Sequence, residues 1–150
     1  MNTTFNKELP VAIGCDHAGF EYKELIKQQL TELGWSVEDK GTYSADSTDY
    51  ADYAHPVANM VTGGTAAFGV LICGSGNGIC MTANKHAGIR AALCWNEELA
   101  SLARQHNNAN VICIPARFVD IDLAKKMVET FLSTAFEGGR HERRVEKIDV

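Results

Sequence analysis

Gly69-Val-Leu-Ile-Cys-Gly-Ser-Gly-Asn-Gly-Ile79 carries three chemical signals in eleven residues. Val70, Leu71 and Ile72 form a short apolar run, the pattern of a strand buried on both faces of a parallel sheet. Cys73 closes that strand. Gly74, Ser75, Gly76, Asn77 and Gly78 make a loop almost without side-chain bulk, and a helix is expected to open near Gly78 before the chain crosses to a second apolar strand, Ile89–Leu93. A strand, a glycine turn and a helix start gather backbone N–H groups around one point, which welcomes a phosphate or an oxygen acquiring charge. The loop is no nucleotide fingerprint: Gly-x-Gly-x-x-Gly fails at Ile79, and no Gly-Lys-Ser/Thr ending makes it a P-loop. A tight turn that merely needs positive φ angles would explain it equally well. Cys73 tips the balance toward a site, because open α/β sheets bind ligands outside the carboxyl ends of their strands.

Outward from this stretch, strands and helices alternate. Val11–Ile13 reads as a first strand, ended by Gly14-Cys-Asp-His-Ala-Gly19. A helix follows with Tyr22, Leu25, Ile26, Leu30 and Leu33 as its stripe and Gly34 as its stop. Trp35–Glu38 is a second strand, and residues 41–52 are a polar loop holding Ser44, Ser47, Thr48, Asp49 and Tyr50. Tyr53–Val61 reads as a helix ended by Gly63-Gly64. Later come a helix over Glu97–His106 capped by Asn96, a strand over Val111–Ile114, and a helix capped by Asp120 or Asp122 with Ala124, Met127, Val128 and Phe131 on one face. The expected fold is α/β: one domain over 1–150, a Rossmann-like, doubly wound parallel sheet of about five strands, helices on both faces, and a C-terminal helical tail.

Composition narrows the function classes. The chain has 150 residues, 45% of them apolar and 22% charged, ordinary values for one globular domain. A formal charge of −5 argues against nucleic acid bound through a general basic surface. No apolar run approaches the roughly 18 residues of a membrane span, and no signal-peptide core opens the chain, so no membrane partner and a cytoplasmic location are expected. Cysteines 15, 73, 80, 94 and 113 show neither a disulfide framework nor zinc-ligand spacing.

Three strand ends should share one edge of this sheet: Asp16-His17, Cys73 with its glycines, and the region of Arg117. A thiol beside helix N–H groups is expected to ionise more easily than a free cysteine, whose pKa is about 8.5. Taken singly, each feature has a plain structural explanation. Cys73 could be a buried strand-end residue, Asp16 a helix cap, His106 a cation at a helix C-terminus, and the run from Arg140 to Arg144 a solvated tail. Together, a thiol, a carboxylate, imidazoles, a glycine loop and arginines form a full set for proton transfer on a phosphorylated carbonyl compound.

The sequence also resembles the type B ribose-5-phosphate isomerases and the related galactose-6-phosphate isomerase subunits. The likeness lies in Gly-Cys-Asp-His-Ala-Gly (14–19), Thr-Asp-Tyr (48–50), Ile-Cys-Gly-Ser-Gly-Asn-Gly (72–78), Ala-Asn-Lys (83–85), Ile-Arg-Ala (89–91), Ala-Arg-Gln-His-Asn-Asn-Ala-Asn (103–110), Arg117 and Glu-Gly-Gly-Arg-His-Glu-Arg-Arg-Val (137–145). It implies an aldose–ketose isomerase that works through an enediolate with neither metal nor other cofactor. Carried over, Cys73 resembles the base, the more so because the position where some relatives hold a glutamate instead is Ile79 here. Ser75 resembles the residue handling protons on the substrate oxygens, aided by the N–H groups of Gly74, Gly76, Asn77 and Gly78. His106 resembles the ring-opening acid/base. Asp16 would assist at the ring oxygen, Tyr50 and Asn107 would order the sugar, and His17, Arg117, Arg140 and Arg144 would clamp the phosphate. Many relatives carry proline after the tyrosine, where this chain has Ala51. The resemblance further implies a homodimer whose site is shared between subunits, with some members pairing dimers into tetramers.

Ribose 5-phosphate is the expected substrate, with a hexose 6-phosphate (allose or galactose) as the alternative. A non-catalytic phosphate- or nucleotide-binding module lacks its fingerprint, and a redox or metal-binding protein lacks the cysteine spacing.

Overall fold

The computed structural model describes residues 4–150. Five strands form one all-parallel sheet: β1 (Val11–Cys15), β2 (Val37–Asp39), β3 (Gly69–Cys73), β4 (Ala91–Leu93) and β5 (Val111–Pro115), in the order β2-β1-β3-β5-β4. Six helices accompany them: α1 (Phe20–Glu32), α2 (Tyr50–Thr62), α3 (Asn77–Ala83), α4 (Glu97–Asn107), α5 (Ile121–Ser133) and the C-terminal α6 (Arg140–Val145). None is long and apolar enough to cross a membrane, among the described residues.

The two-residue period of the strands sorts the core into layers. Val70 and Ile72 of β3, with Ile112 and Ile114 of β5, pack toward Ile26 and Leu30 of α1, Ala100 of α4, and Met127 and Phe131 of α5. Leu71, Cys73 and Cys113 point the other way, onto Val57 of α2 and Ile79 of α3. β1, β3 and β5 are buried along their whole length, as a sheet covered on both faces requires.

Several boundaries differ from the sequence reading, most of them by one or two residues at an element's end, and three starts have a physical reason. β2 begins at Val37, because Trp35 turns into the core to meet Phe68 edge-on at 5.4 Å. β4 begins at Ala91, since Ile89 and Arg90 are held in the preceding turn by His86 and Asn110. α2 starts at Tyr50 rather than Tyr53, so Ala51 is helical. On α1, Leu25 is exposed and the buried stripe is Lys23, Ile26 and Leu30. Lys23 can lie there because its ammonium bonds both Asp39 carboxylate oxygens at 2.8 and 2.7 Å. Asp120, not Asp122, caps α5 by accepting from the Leu123 N–H at 2.8 Å.

Candidate active site

The register of the sheet brings the carboxyl ends of β1, β3 and β5 together: Cys15 stands opposite Ile72, and Cys73 opposite Pro115. The segments leaving these three strands therefore converge on one cavity of about 400 Å³. Its walls hold Asp16 and His17 after β1, Cys73 to Ser75 and Gly78 after β3, Arg117 and Phe118 after β5, and Tyr50 from α2. This is the edge at which a parallel sheet binds ligands.

The β3–α3 loop is shaped around the Cys73 sulfur. Gly76 sits at φ 75°, a left-handed turn that bends the chain back, and the N–H groups of Ile79, Gly76 and Ser75 reach Sγ. Gly78 leaves room for a neighbour, since a Cβ there would run into the Tyr50 ring. The Arg117 guanidinium rests on Gly74, and its backbone N–H donates to the Gly74 carbonyl at 3.0 Å. Exposed Ser75 keeps its hydroxyl near Asn77, accepting from that N–H at 3.3 Å.

Cys73 corrects an expectation. Its thiol is raised, not lowered, from the ordinary cysteine range. Burial is the largest cause, and the negative charge of Asp16 adds to it, outweighing the three backbone N–H groups that pull the other way. With 4% of its surface exposed, the sulfur loses more in hydration than the loop returns. The thiolate is the reactive form, so alkylation of Cys73 by iodoacetamide should speed up by about tenfold per pH unit from pH 7 to 9. A rate flat over that interval, measured by peptide mass spectrometry, would contradict a raised thiol.

Asp16 combines two roles. Its carboxylate accepts the Ala18 N–H at 3.0 Å, capping a short 3₁₀ turn over His17–Gly19, and it also forms part of the cavity wall beside Cys73. His17 is held by a pair of reciprocal bonds to Thr48.

His106 and Asn107 are elsewhere. They end α4 and lead at once into the amino ends of the strands, where Asn110 donates to Arg90 O at 3.0 Å and Gly69 donates to Asn110 O at 2.9 Å. The length of β5, Val111 to Pro115, then separates them from the Cys73 edge. Four residue steps of a parallel strand span roughly 13 Å. Arg140 and Arg144 lie on α6, exposed and on the His106 side, as the Glu137 N–H bond to Gln105 O at 3.0 Å and the stacking of His141 on His106 at 4.2 Å show. A single chain thus assembles Asp16, His17, Tyr50, Cys73 to Gly78 and Arg117, and holds His106, Asn107, Arg140 and Arg144 apart from them.

That second group is stiffly mounted. Asn108 closes α4 in the left-handed region at φ 48°. The buried Arg104 guanidinium bonds the Asn108 side chain, Ala109 O and Thr134 O at 3.0, 2.6 and 3.0 Å. Burial lowers this arginine to about 10. His106, Glu137 and His141 place their ligand atoms within 4.8 Å of one another. The two rings are only 13° from parallel, however, and a metal ion lies in the plane of every imidazole that binds it. Stacked planes cannot share one ion, so the trio is not a metal centre as it stands.

Thr48, Phe118, Glu137 and His141 were not among the residues expected to matter. Thr48 and residues 137–145 lie inside the motifs that carry the family resemblance, which was the signal available for them.

Known proteins resemble the chain along nearly its whole length. It is 50% identical to the ribose-5-phosphate isomerase B of Escherichia coli over 138 residues, 92% of this chain and 93% of that one. The crystal structure of a Thermotoga maritima ribose 5-phosphate isomerase superposes with a TM-score of 0.92 at 52% identity, covering 94% of this chain and 97% of that one. A Mycoplasma genitalium ribose-5-phosphate isomerase B with bound ribulose 5-phosphate matches at 43% identity and a TM-score of 0.90, over 95% of each chain. With residues 11–148 matching the ribose/galactose isomerase family as well, the chain belongs to that family.

Proposed function

We propose that the chain interconverts D-ribose 5-phosphate and D-ribulose 5-phosphate through a cis-enediolate, with Cys73 as the base. The observation that carries this reading is a thiol set in the wall of a cavity with a carboxylate, an imidazole and an arginine around it. His106 gives a proton to the furanose ring oxygen as the C1 hydroxyl loses its own, which opens the sugar. The Cys73 thiolate takes the proton from C2, and the electron pair moves through C1 to its oxygen, giving the enediolate. Ser75 and the loop N–H groups stabilise that oxygen. The thiol then returns the proton to C1, and the C2 hydroxyl proton passes by way of Ser75 to the C1 oxygen, leaving the ketone at C2 and a hydroxyl at C1. Asp16 assists at the sugar oxygens, and Tyr50 and Asn107 order the chain of the sugar. The reaction needs no metal or other cofactor.

The site is completed by a second copy of the chain. Its support is the separation of the two groups across the length of β5. Beside His106 and Asn107 runs a groove of about 760 Å³ that includes Leu93, Leu99, Leu102 and Ile148, an apolar floor suited to a partner. Phe118, 75% exposed at the rim of the Cys73 cavity, is a further apolar contact on offer. In such a homodimer Arg140 and Arg144 of one chain join His17 and Arg117 of the other around the phosphate.

The substrate is tested by comparing kcat/KM on ribose 5-phosphate, allose 6-phosphate and galactose 6-phosphate. The pentose should be preferred, and a higher value on either hexose would reassign the enzyme. Arg140→Ala with Arg144→Ala should raise KM roughly 100-fold, the cost of two charge-assisted contacts, and leave the melting temperature nearly unchanged. Inorganic phosphate should compete well against the parent and poorly against the double variant. Equal inhibition of both would return the two arginines to an ordinary solvated helix.

A further inference from the structure

Thirty-one positions separate His17 from Thr48, yet two hydrogen bonds join them. The His17 backbone N–H donates to Thr48 Oγ1 at 3.2 Å, and the Thr48 backbone N–H donates to His17 Nδ1 at 3.2 Å. A backbone N–H can only donate, so the ring nitrogen facing it is an acceptor and carries no proton. In the neutral ring the proton is then on Nε2. Turning the ring over would set a carbon against that N–H and leave the donor without a partner.

The loop that brings Thr48 here is anchored at its other end. Buried Lys23 bonds Asp39 and the Thr42 carbonyl, while the Cys15 N–H donates to Gly41 O at 2.7 Å and the Thr42 N–H donates to Cys15 O at 2.8 Å. Burial pushes the Asp39 carboxyl up, but the Lys23 and Lys27 ammonium groups outweigh it and hold the carboxyl below its usual range. Asp39 therefore stays ionised as the anchor. Asp49 and Tyr50 lead directly from Thr48 into α2, so the loop is fixed on both sides of the contact.

We infer that Thr48 is a positioning residue, whose backbone amide fixes His17 as an Nε2–H donor in the cavity and whose hydroxyl holds the His17 backbone in place. A phosphate dianion offers only acceptors, so a ring presenting its lone pair would repel what a ring presenting N–H binds. The inference rests on the reading of His17 as a phosphate ligand, and it assigns that ligand its donor atom. It also gives residues 40–49 a task in phosphate binding.

Long-range proton–nitrogen correlation spectra of the full chain, labelled at histidine nitrogens and assigned with His17→Asn, read the tautomer directly. One species with Nε2 protonated and Nδ1 bare is expected, and a protonated Nδ1 or a mixture in the wild type would overturn the inference. Thr48→Ser keeps both bonds and should match the wild type in spectrum and KM. With Thr48→Val as the control that loses only the hydroxyl, Thr48→Pro deletes both the amide donor and the hydroxyl. It should admit the other tautomer and raise KM for ribulose 5-phosphate roughly fivefold, the worth of about one hydrogen bond, with kcat changed less than about twofold. Should Thr48→Pro melt like the wild type and show the wild-type tautomer and KM, the inference is wrong; if it fails to fold, the wild-type spectrum still decides. A fixed Nε2–H tautomer released by Thr48→Pro, together with an unchanged KM in His17→Asn, would support the lock while removing His17 from the phosphate site.

Discussion

Cys73→Ala folds like the wild type, and its isomerase activity falls by about 10²–10⁴, the usual contribution of a placed acid or base. Exchange of the C2 proton with solvent is lost in parallel. The fold survives because the change removes one sulfur at the end of a strand whose other residues pack unaltered. Chemistry does not, because the cavity wall offers no other thiol, and Ile79, in the first turn of α3, is buried and has no proton to move. Cys80→Ala is the control: its sulfur faces Ala91 O at 3.5 Å and the Cys113 side chain rather than the cavity. An active Cys73→Ala beside a dead Cys80→Ala would exchange the two assignments. Because burial raises the Cys73 thiol, kcat/KM should climb with pH through the neutral range as the thiolate fraction grows.

His106→Asn separates ring opening from proton transfer. The variant should lose about 10²-fold or more on ribose 5-phosphate, which arrives mainly as a closed furanose. On ribulose 5-phosphate, which has no furanose to open, it should keep most of its rate of C1–C2 proton exchange. Asparagine retains a polar side chain at the exposed end of α4, where Arg104, Asn108 and Ala109 hold the turn through bonds that do not involve residue 106. Equal losses on both sugars would move His106 from the ring oxygen to the enediolate step.

Much of this was legible before any coordinates. The apolar run 70–72, the loop 74–78 and the recurring 3.6-residue stripes point to a parallel sheet, and the structure has one, with a cavity at the carboxyl ends of β1, β3 and β5. The separation of Cys73 from His106 was implied only by the family resemblance, and its physical reason lies in the topology: a helix that returns across a parallel sheet ends at the amino edge, so α4 carries His106 away from the end of β3. Burial was not legible. Spacing showed N–H groups near Cys73 but not how completely the sulfur leaves water, and burial decided the direction of its shift. Lys23 sits three and seven residues before Ile26 and Leu30, on the apolar stripe, yet only the fold supplies Asp39 to receive it. Thr48 and His17 are likewise joined by loop geometry that no local pattern encodes.

The composite site is tested most directly by mixing two inactive chains. Cys73→Ala and His106→Asn subunits, co-refolded in equal amounts, should form dimers of which about half are mixed, each with one intact site and one carrying both lesions. Activity on ribose 5-phosphate should then return to roughly a quarter of the wild-type value. Mixed dimers verified by mass spectrometry but without recovered activity would place Cys73 and His106 in the same subunit's site, and the shared arrangement would be wrong.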